Sequence, residues 1–239
     1  MMLFLFLIIG TSFFVAGILF FSMRRDAPGT DLMKEVALAI QEGAIAFLRY
    51  EYRTVIVSVF IIAAVLSLVI SISTGLSFLL GAAMSGFSGF IGMRITTVVN
   101  IRTANVARET GDHEKTLKCA FRGGSIIGLS VGGFGLLGLG IILVLYGITP
   151  AACCSKNILL HENWLGITYI SFAMSAAGYA LGCSIIALYN RIGGGIFAKS
   201  ADIGADLVGK IEIGLPEDDP RNPATIARSE GHTSELQSL

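Results

Sequence analysis

Long apolar runs, each about as long as a bilayer is thick, alternate along this chain with short charged stretches. Residues 2 to 23 (MLFLFLIIGTSFFVAGILFFSM) contain no charge, and a helix crosses the hydrocarbon core in about 20 residues. No basic residue precedes the run, and it exceeds the apolar part of a cleaved leader, so it reads as a retained first span. Further runs at about 54–72, 76–99, 123–148 and 164–190 predict four more spans. Only Ser73-Thr74-Gly75 separates the second from the third, which makes them an antiparallel pair. The fifth begins near Trp164, a residue suited to the membrane interface. The pattern predicts an all-α fold, a polytopic bundle of about five transmembrane helices.

Between the runs, residues 31–53 read as a mixed helix with Ala37, Ile40, Ala44 and Phe47 on one face, a connector lying at the interface before the second span. Gly81, Gly86, Gly89 and Gly92, with Ala82, Ala83, Ser85 and Ser88, form a close-packing face on the third span. In the fourth, Gly128, Gly132, Gly133, Gly135, Gly138 and Gly140 are expected to line packing surfaces. Arg94 reads as an anchor at the inner end of the third span. Lys and Arg number five after the first span (Arg24, Arg25, Lys34, Arg49, Arg53) and five after the third (Arg102, Arg108, Lys115, Lys118, Arg122). The connections after the second and fourth spans hold none and one (Lys156). By the positive-inside rule the odd connections are cytoplasmic and the N-terminus faces out.

Composition agrees: 54% of the 239 residues are hydrophobic and 14% charged, more apolar than a soluble domain needs. Net charge is zero, which indicates no nucleic-acid partner. Cys119, Cys153, Cys154 and Cys183 lack metal-ligand spacing and imply no disulfide framework. His113 reads as solvated, and His161 beside Glu162 completes no metal site.

Candidate chemistry concentrates in residues 191–227, RIGGGIFAKSADIGADLVGKIEIGLPEDDPRNPATIA, where the apolar pattern gives way to charge. On a helix, Lys199, Asp202, Asp206 and Lys210 fall at i, i+3, i+7 and i+11 and share one face. Two carboxylates one turn apart between two ammonium groups suit a hard cation such as Mg²⁺ and the phosphate oxygens it bridges. The competing reading is a solvated helix with i,i+4 ion pairs. Continuity with a membrane span, the Gly193-Gly194-Gly195 run and the acidic Pro216–Pro220 turn favour the first. Arg191 sits at the inner boundary of the fifth span, where a snorkelling anchor is the ordinary role.

The runs GGGIFAKSADIGADLVGKIE and PEDDPRNPA resemble the pyrophosphate-binding signature of the membrane-bound ion-pumping pyrophosphatases. The stretches QEGAIAFLRYEY (41–52), NIRTANVARE (100–109) and AFRGGSIIGLS (120–130) extend the resemblance over most of the chain. It implies Mg²⁺-dependent hydrolysis of inorganic pyrophosphate coupled to H⁺ or Na⁺ translocation, with K⁺ a candidate second cofactor and a homodimer the expected assembly. It further implies that Lys199 contacts pyrophosphate, that Asp202 and Asp206 bind Mg²⁺, and that Glu217 and Asp218 are further acidic positions near the metals. Lys210 and Glu212 match charged positions of the same extension, and Arg191 matches an arginine lining the ion path as a gate. Cell membranes and internal acidic-compartment membranes both accommodate such a protein.

After Ala227 the family continues with an aspartate-rich DNVGDNVGD run, whereas this chain reads RSEGHTSELQSL. That tail resembles a translated sequencing adapter, so 228–239 is set apart from the membrane region (1–190) and the pyrophosphate/Mg-binding segment (191–227). The expectation is an N-terminal fragment of a pump, inactive alone. A secondary transporter and a non-catalytic membrane module are the alternatives.

Overall fold

The computed structural model describes residues 2–147, 161–164, 167–216, 219, 221 and 222. They form five long helices: α1 (Met2–Arg24), α2 (Asp31–Val69), α3 (Ile72–Thr110), α4 (His113–Ile142) and α5 (Ser171–Val208). All five are long and apolar enough to cross a membrane. A single π-helical turn, Leu143–Gly147, continues α4, and another, Gly209–Ile213, continues α5. Residues 1–188 and 189–239 form two separate units.

The helices run further than the apolar runs alone indicate. At 1.5 Å per residue the 39 residues of α2 and of α3 reach about 58 Å, nearly twice a 30 Å hydrocarbon core. The interfacial connector expected at 31–53 is therefore the first half of α2, continuous with the span. The charged stretch 100–122 is likewise the end of α3 and the start of α4, joined by two residues. Gly111 ends α3 in the left-handed region (φ 59°), and Asp112 caps α4 by accepting the N–H groups of Glu114 and Lys115. Such a cap stabilises a helix by about 1 kcal/mol. At the other end Ser71 caps α3 by accepting the Thr74 N–H, so the break falls two residues earlier than the expected turn at 73–75.

The fifth span also begins late. His161–Trp164 and Ile167–Ile170 pair as a short antiparallel hairpin, Trp164 opposite Ile167, and α5 starts only at Ser171. Trp164 thus lies in a strand. This hairpin is the one departure from an all-α architecture among the described residues.

In the first unit, α4 packs against α1 and α3, and α3 against α2. Ala16, Met23, Ile95, Val99 and Ile126 form a buried cluster between α1, α3 and α4. Phe134 of α4 stands edge-on to Phe13 of α1 and Phe87 of α3, with ring centroids 4.9 and 5.4 Å apart. Large side chains elsewhere point outward, Phe14, Phe60 and Leu68 among them; in lipid these cost nothing to expose. Small residues do the packing. Gly178 lies on Thr74 and Gly182 on Phe78, so α5 and α3 run in the same direction with backbones in contact. A Cβ at Gly81 would stand 2.1 Å from the Tyr179 carbonyl, and one at Gly182 2.2 Å from that of Phe78.

Hydrogen bonds fix the remaining contacts: Tyr179 Oη donates to the Gly135 carbonyl of α4 (2.8 Å), Tyr52 Oη to that of Gly86 (2.8 Å) and Ser12 Oγ to that of Leu129 (2.8 Å). Fully buried Asn105 donates to the Ala27 carbonyl and accepts from Arg108, while Arg122 pairs with Asp26, so the α1–α2 connection is pinned to α3 and α4. Of the fourth-span glycines, Gly133, Gly138 and Gly140 meet Phe13, Tyr179 and Leu5, but Gly128, Gly132 and Gly135 face open space. Cys119 and Cys183 are free thiols; Cys153 and Cys154 lie outside the described residues.

Gly182→Leu is expected to cost at least the ~1–3 kcal/mol of overpacking, because the obstructing atom is backbone, and Gly128→Ala to change stability by less than about 1 kcal/mol. Thermal unfolding of detergent-purified variants, followed by retention of the monodisperse peak, measures both.

Candidate functional site

The second unit consists of the later part of α5, the π turn and the segment after it. No proline interrupts α5 from Ser171 to Val208, so Lys199, Asp202 and Asp206 keep α-helical spacing and share a face. Lys199 is exposed and its Nζ lies 3.7 Å from Asp202 Oδ2. The Asp202 side chain is only 17% exposed, and Asp206 is also partly covered. Lys210 and Glu212, both exposed, lie beyond the regular α-helix, in the π turn. The i+11 position expected for Lys210 therefore falls past the end of the α-helical register.

Gly214 stops the helix in the left-handed region (φ 70°), its N–H returning to the Gly209 carbonyl. The Leu215 N–H bonds to the same carbonyl at 2.9 Å. The chain then doubles back. Asn222 is buried, 8% exposed, and its amide donates to the Ala205 carbonyl (3.2 Å). Gly209 makes this seat possible: a Cβ there would come 2.9 Å from Asn222 Nδ2. Residues around the acidic turn are thus tied to the helical turn that bears Asp202 and Asp206.

Asp219 is held in place within that turn. Its Oδ1 accepts the Arg221 N–H (2.9 Å) and Nε (2.9 Å), and its Oδ2 accepts the guanidinium Nη2 (2.7 Å). The fork from Arg221 lowers the Asp219 carboxyl to about 2, and the pair in turn raises the arginine. Glu217 and Asp218, the further acidic positions expected from the sequence, lie outside the described residues, as does 228–239. Among the described residues no three acidic, cysteine or histidine side chains cluster as metal ligands.

Arg191 is exposed, about 12 Å along the axis from Lys199, given eight residues of helix. Gly194 and Gly195 are exposed and would admit a Cβ freely, so the glycine run makes no close backbone contact at those two positions. The Asp219–Arg221 clasp and the Asn222 seat escaped the sequence reading. A signal existed for both: Asp-x-Arg-Asn is turn chemistry, and Gly209 interrupts an otherwise bulky helix end.

Comparison with known proteins follows the same residues. A family profile described as inorganic H⁺ pyrophosphatase matches residues 10–233. A K⁺-stimulated pyrophosphate-energized sodium pump of Thermotoga maritima is 48% identical over 208 residues, covering 87% of this chain and 28% of the relative. A K⁺-insensitive pyrophosphate-energized proton pump of Methanosarcina mazei is 44% identical over 214 residues, covering 88% and 28%. One from Streptomyces coelicolor is 39% identical over 231 residues, covering 89% and 26%. The chain spans little more than a quarter of the length of these curated relatives. With five membrane-crossing helices and a match over most of its residues, this multi-pass membrane protein belongs to the inorganic H⁺ pyrophosphatase family.

Proposed function

We propose that the chain is the amino-terminal part of a pump that couples Mg²⁺-dependent hydrolysis of inorganic pyrophosphate to H⁺ or Na⁺ movement across a membrane. The observation that carries this reading is the single helical face of Lys199, Asp202 and Asp206, with the acidic turn tied to it through Asn222. Identities of 48% to a sodium pump and 44% to a proton pump favour neither ion. Basic residues concentrated at one end of α2, α3 and α4 support a cytoplasmic site and an outward N-terminus.

The donor set suits Mg²⁺. That ion is held in proteins through one or two carboxylates, with substrate phosphate as a partner. Asp202 and Asp206 supply the carboxylates in this reading, with Glu217 and Asp218 adding others. When held there, Mg²⁺ would supply charge neutralisation and Lewis acidity toward pyrophosphate. The chain's own groups do the rest. Lys199, loosely paired with Asp202 at 3.7 Å, exchanges that partner for a phosphate oxygen. Arg221 lowers the Asp219 carboxyl and pairs with it, so Asp219 serves to hold the turn in shape, and the metal-binding charge of the site is left to Asp202, Asp206, Glu217 and Asp218. Arg191 stands down the same helix as the gate for the transported ion.

Only part of a hydrolytic centre is present among the described residues, so the 239-residue chain alone is expected to release no phosphate. A chimera joining it to the downstream part of the Thermotoga maritima relative is expected to hydrolyse pyrophosphate. In that chimera Asp202→Asn and Asp206→Asn each lower kcat/KM by about 10²-fold, as loss of one charge-stabilising group does. A folded chimera without hydrolysis would overturn the assignment, and phosphate release by the chain alone would overturn the division of labour.

Asp219 adds a pH prediction. Its folded value lies below the ordinary 3.8, so the clasp stabilises the turn fully above pH 3.8, and this contribution is lost as the pH falls from there through about 2. Arg221→Ala moves the carboxyl back toward 3.8, which infrared titration of ¹³C-Asp-labelled protein reads directly.

A further inference from the structure

The membrane half of the first unit carries an apolar groove of about 640 Å³ between α2, α3 and α5. Its walls include Phe60 and Val59 of α2, Ala83, Phe87 and Phe90 of α3, and Ile186 of α5. It lies along lengths without charge: α2 has none from Thr54 to Val69, and α3 none from Ile72 to Met93. The groove is therefore at bilayer depth.

Its inner mouth is cationic. Arg94 stands over the Phe90 ring, its Cζ 5.0 Å from the centroid, and the guanidinium is exposed. Arg94 is the first charge met along α3 beyond the groove, and on α2 the lining ends at Tyr52, between Glu51 and Arg53. An occupant matching both features is apolar over the ~16 Å of helix from Leu79 to Phe90 and anionic at the inner end. A hydrophobic helix meets the first requirement but gains nothing from the second.

We propose that this groove is a specific site for an anionic phospholipid, an acyl chain lying along Phe60 and Phe87 and the headgroup phosphate on Arg94. Arginine pairs well with phosphate through its planar fork, and stacking on Phe90 holds that fork at the mouth. The site is independent of the hydrolytic reading.

Native mass spectrometry of the purified 239-residue chain, released from mild detergent with dioleoyl-phosphatidylglycerol or dioleoyl-phosphatidylcholine, tests it. Wild type is expected to retain the glycerol lipid about fivefold better, the effect of one basic residue near an anionic headgroup. Arg94→Gln brings the two lipids to parity, and Arg94→Lys keeps much of the preference. Ala83→Phe fills the groove and lowers retention of both lipids. Arg24→Gln, which removes an arginine similarly stacked on Phe20 of α1, leaves the preference intact. Circular dichroism confirms that each variant is folded. Equal retention of both lipids by wild type, a preference that survives Arg94→Gln, or unchanged retention in Ala83→Phe would each overturn the proposal; the last result would assign the groove to a protein helix.

Discussion

Inside a bilayer, apolar side chains gain nothing by leaving lipid for one another, so helices associate only where their backbones approach closely or polar groups bond across them. The crossing of α3 and α5 meets that constraint with almost no side chain. Gly178 and Gly182 lie on the carbonyls of Thr74 and Phe78, and Gly81 lies on that of Tyr179. Tyr179 then bonds to the Gly135 carbonyl of α4, so the ring that leans over Gly138 ties a third helix to the pair. Once these backbones are fixed, Phe134 has one place to stand between Phe13 and Phe87, and α1 is set by the same ring. Beyond the buried cluster of Met23, Ile95, Val99 and Ile126, many large aliphatic residues face outward, where the solvent is hydrocarbon.

The second unit, rich in charge, follows a different rule. There the polar groups are ordered by local turn chemistry. Gly214 reverses the chain, Asp219 and Arg221 stiffen the reversal, and Asn222 reaches the Ala205 carbonyl across the space that Gly209 leaves. All but the last of these steps are local in sequence. The outcome is that Asn222, three residues past Asp219, is fastened to the carbonyl of Ala205, the residue before Asp206.

Much of this was legible in the sequence, and the parts that were not share a cause. Runs of uncharged residues long enough to span announced five helices, and the periodicity of Lys199, Asp202 and Asp206 announced their common face. Hydropathy measures residence in lipid, however, not helicity. It stops at Thr54 and Val99, whereas the α2 and α3 backbones stay helical through the charged stretches beyond, and α2 is carried there by good helix formers such as Glu35, Ala37, Leu38 and Glu42. The late start of α5 had a related cause, since Trp164 and Tyr169 suit a strand as well as an interface. Glycine spacing identified Gly81 as a contact but could not separate Gly133 from Gly132: which neighbour of a pair faces a partner depends on where the partner lies. Asn222 was invisible for the same reason, its partner being seventeen residues away.

The joints between helices carry a consequence for how the protein is made. α2 and α3 are separated by Ile70 and Ser71 alone, and α3 and α4 by Gly111 and Asp112. With so little slack, α3 cannot reach its place while either neighbour waits elsewhere, and over its most apolar window it is less hydrophobic than α2 or α4. The short joints therefore favour insertion of α3 together with α2 and α4, as one connected unit whose more apolar flanking helices carry the less apolar one between them.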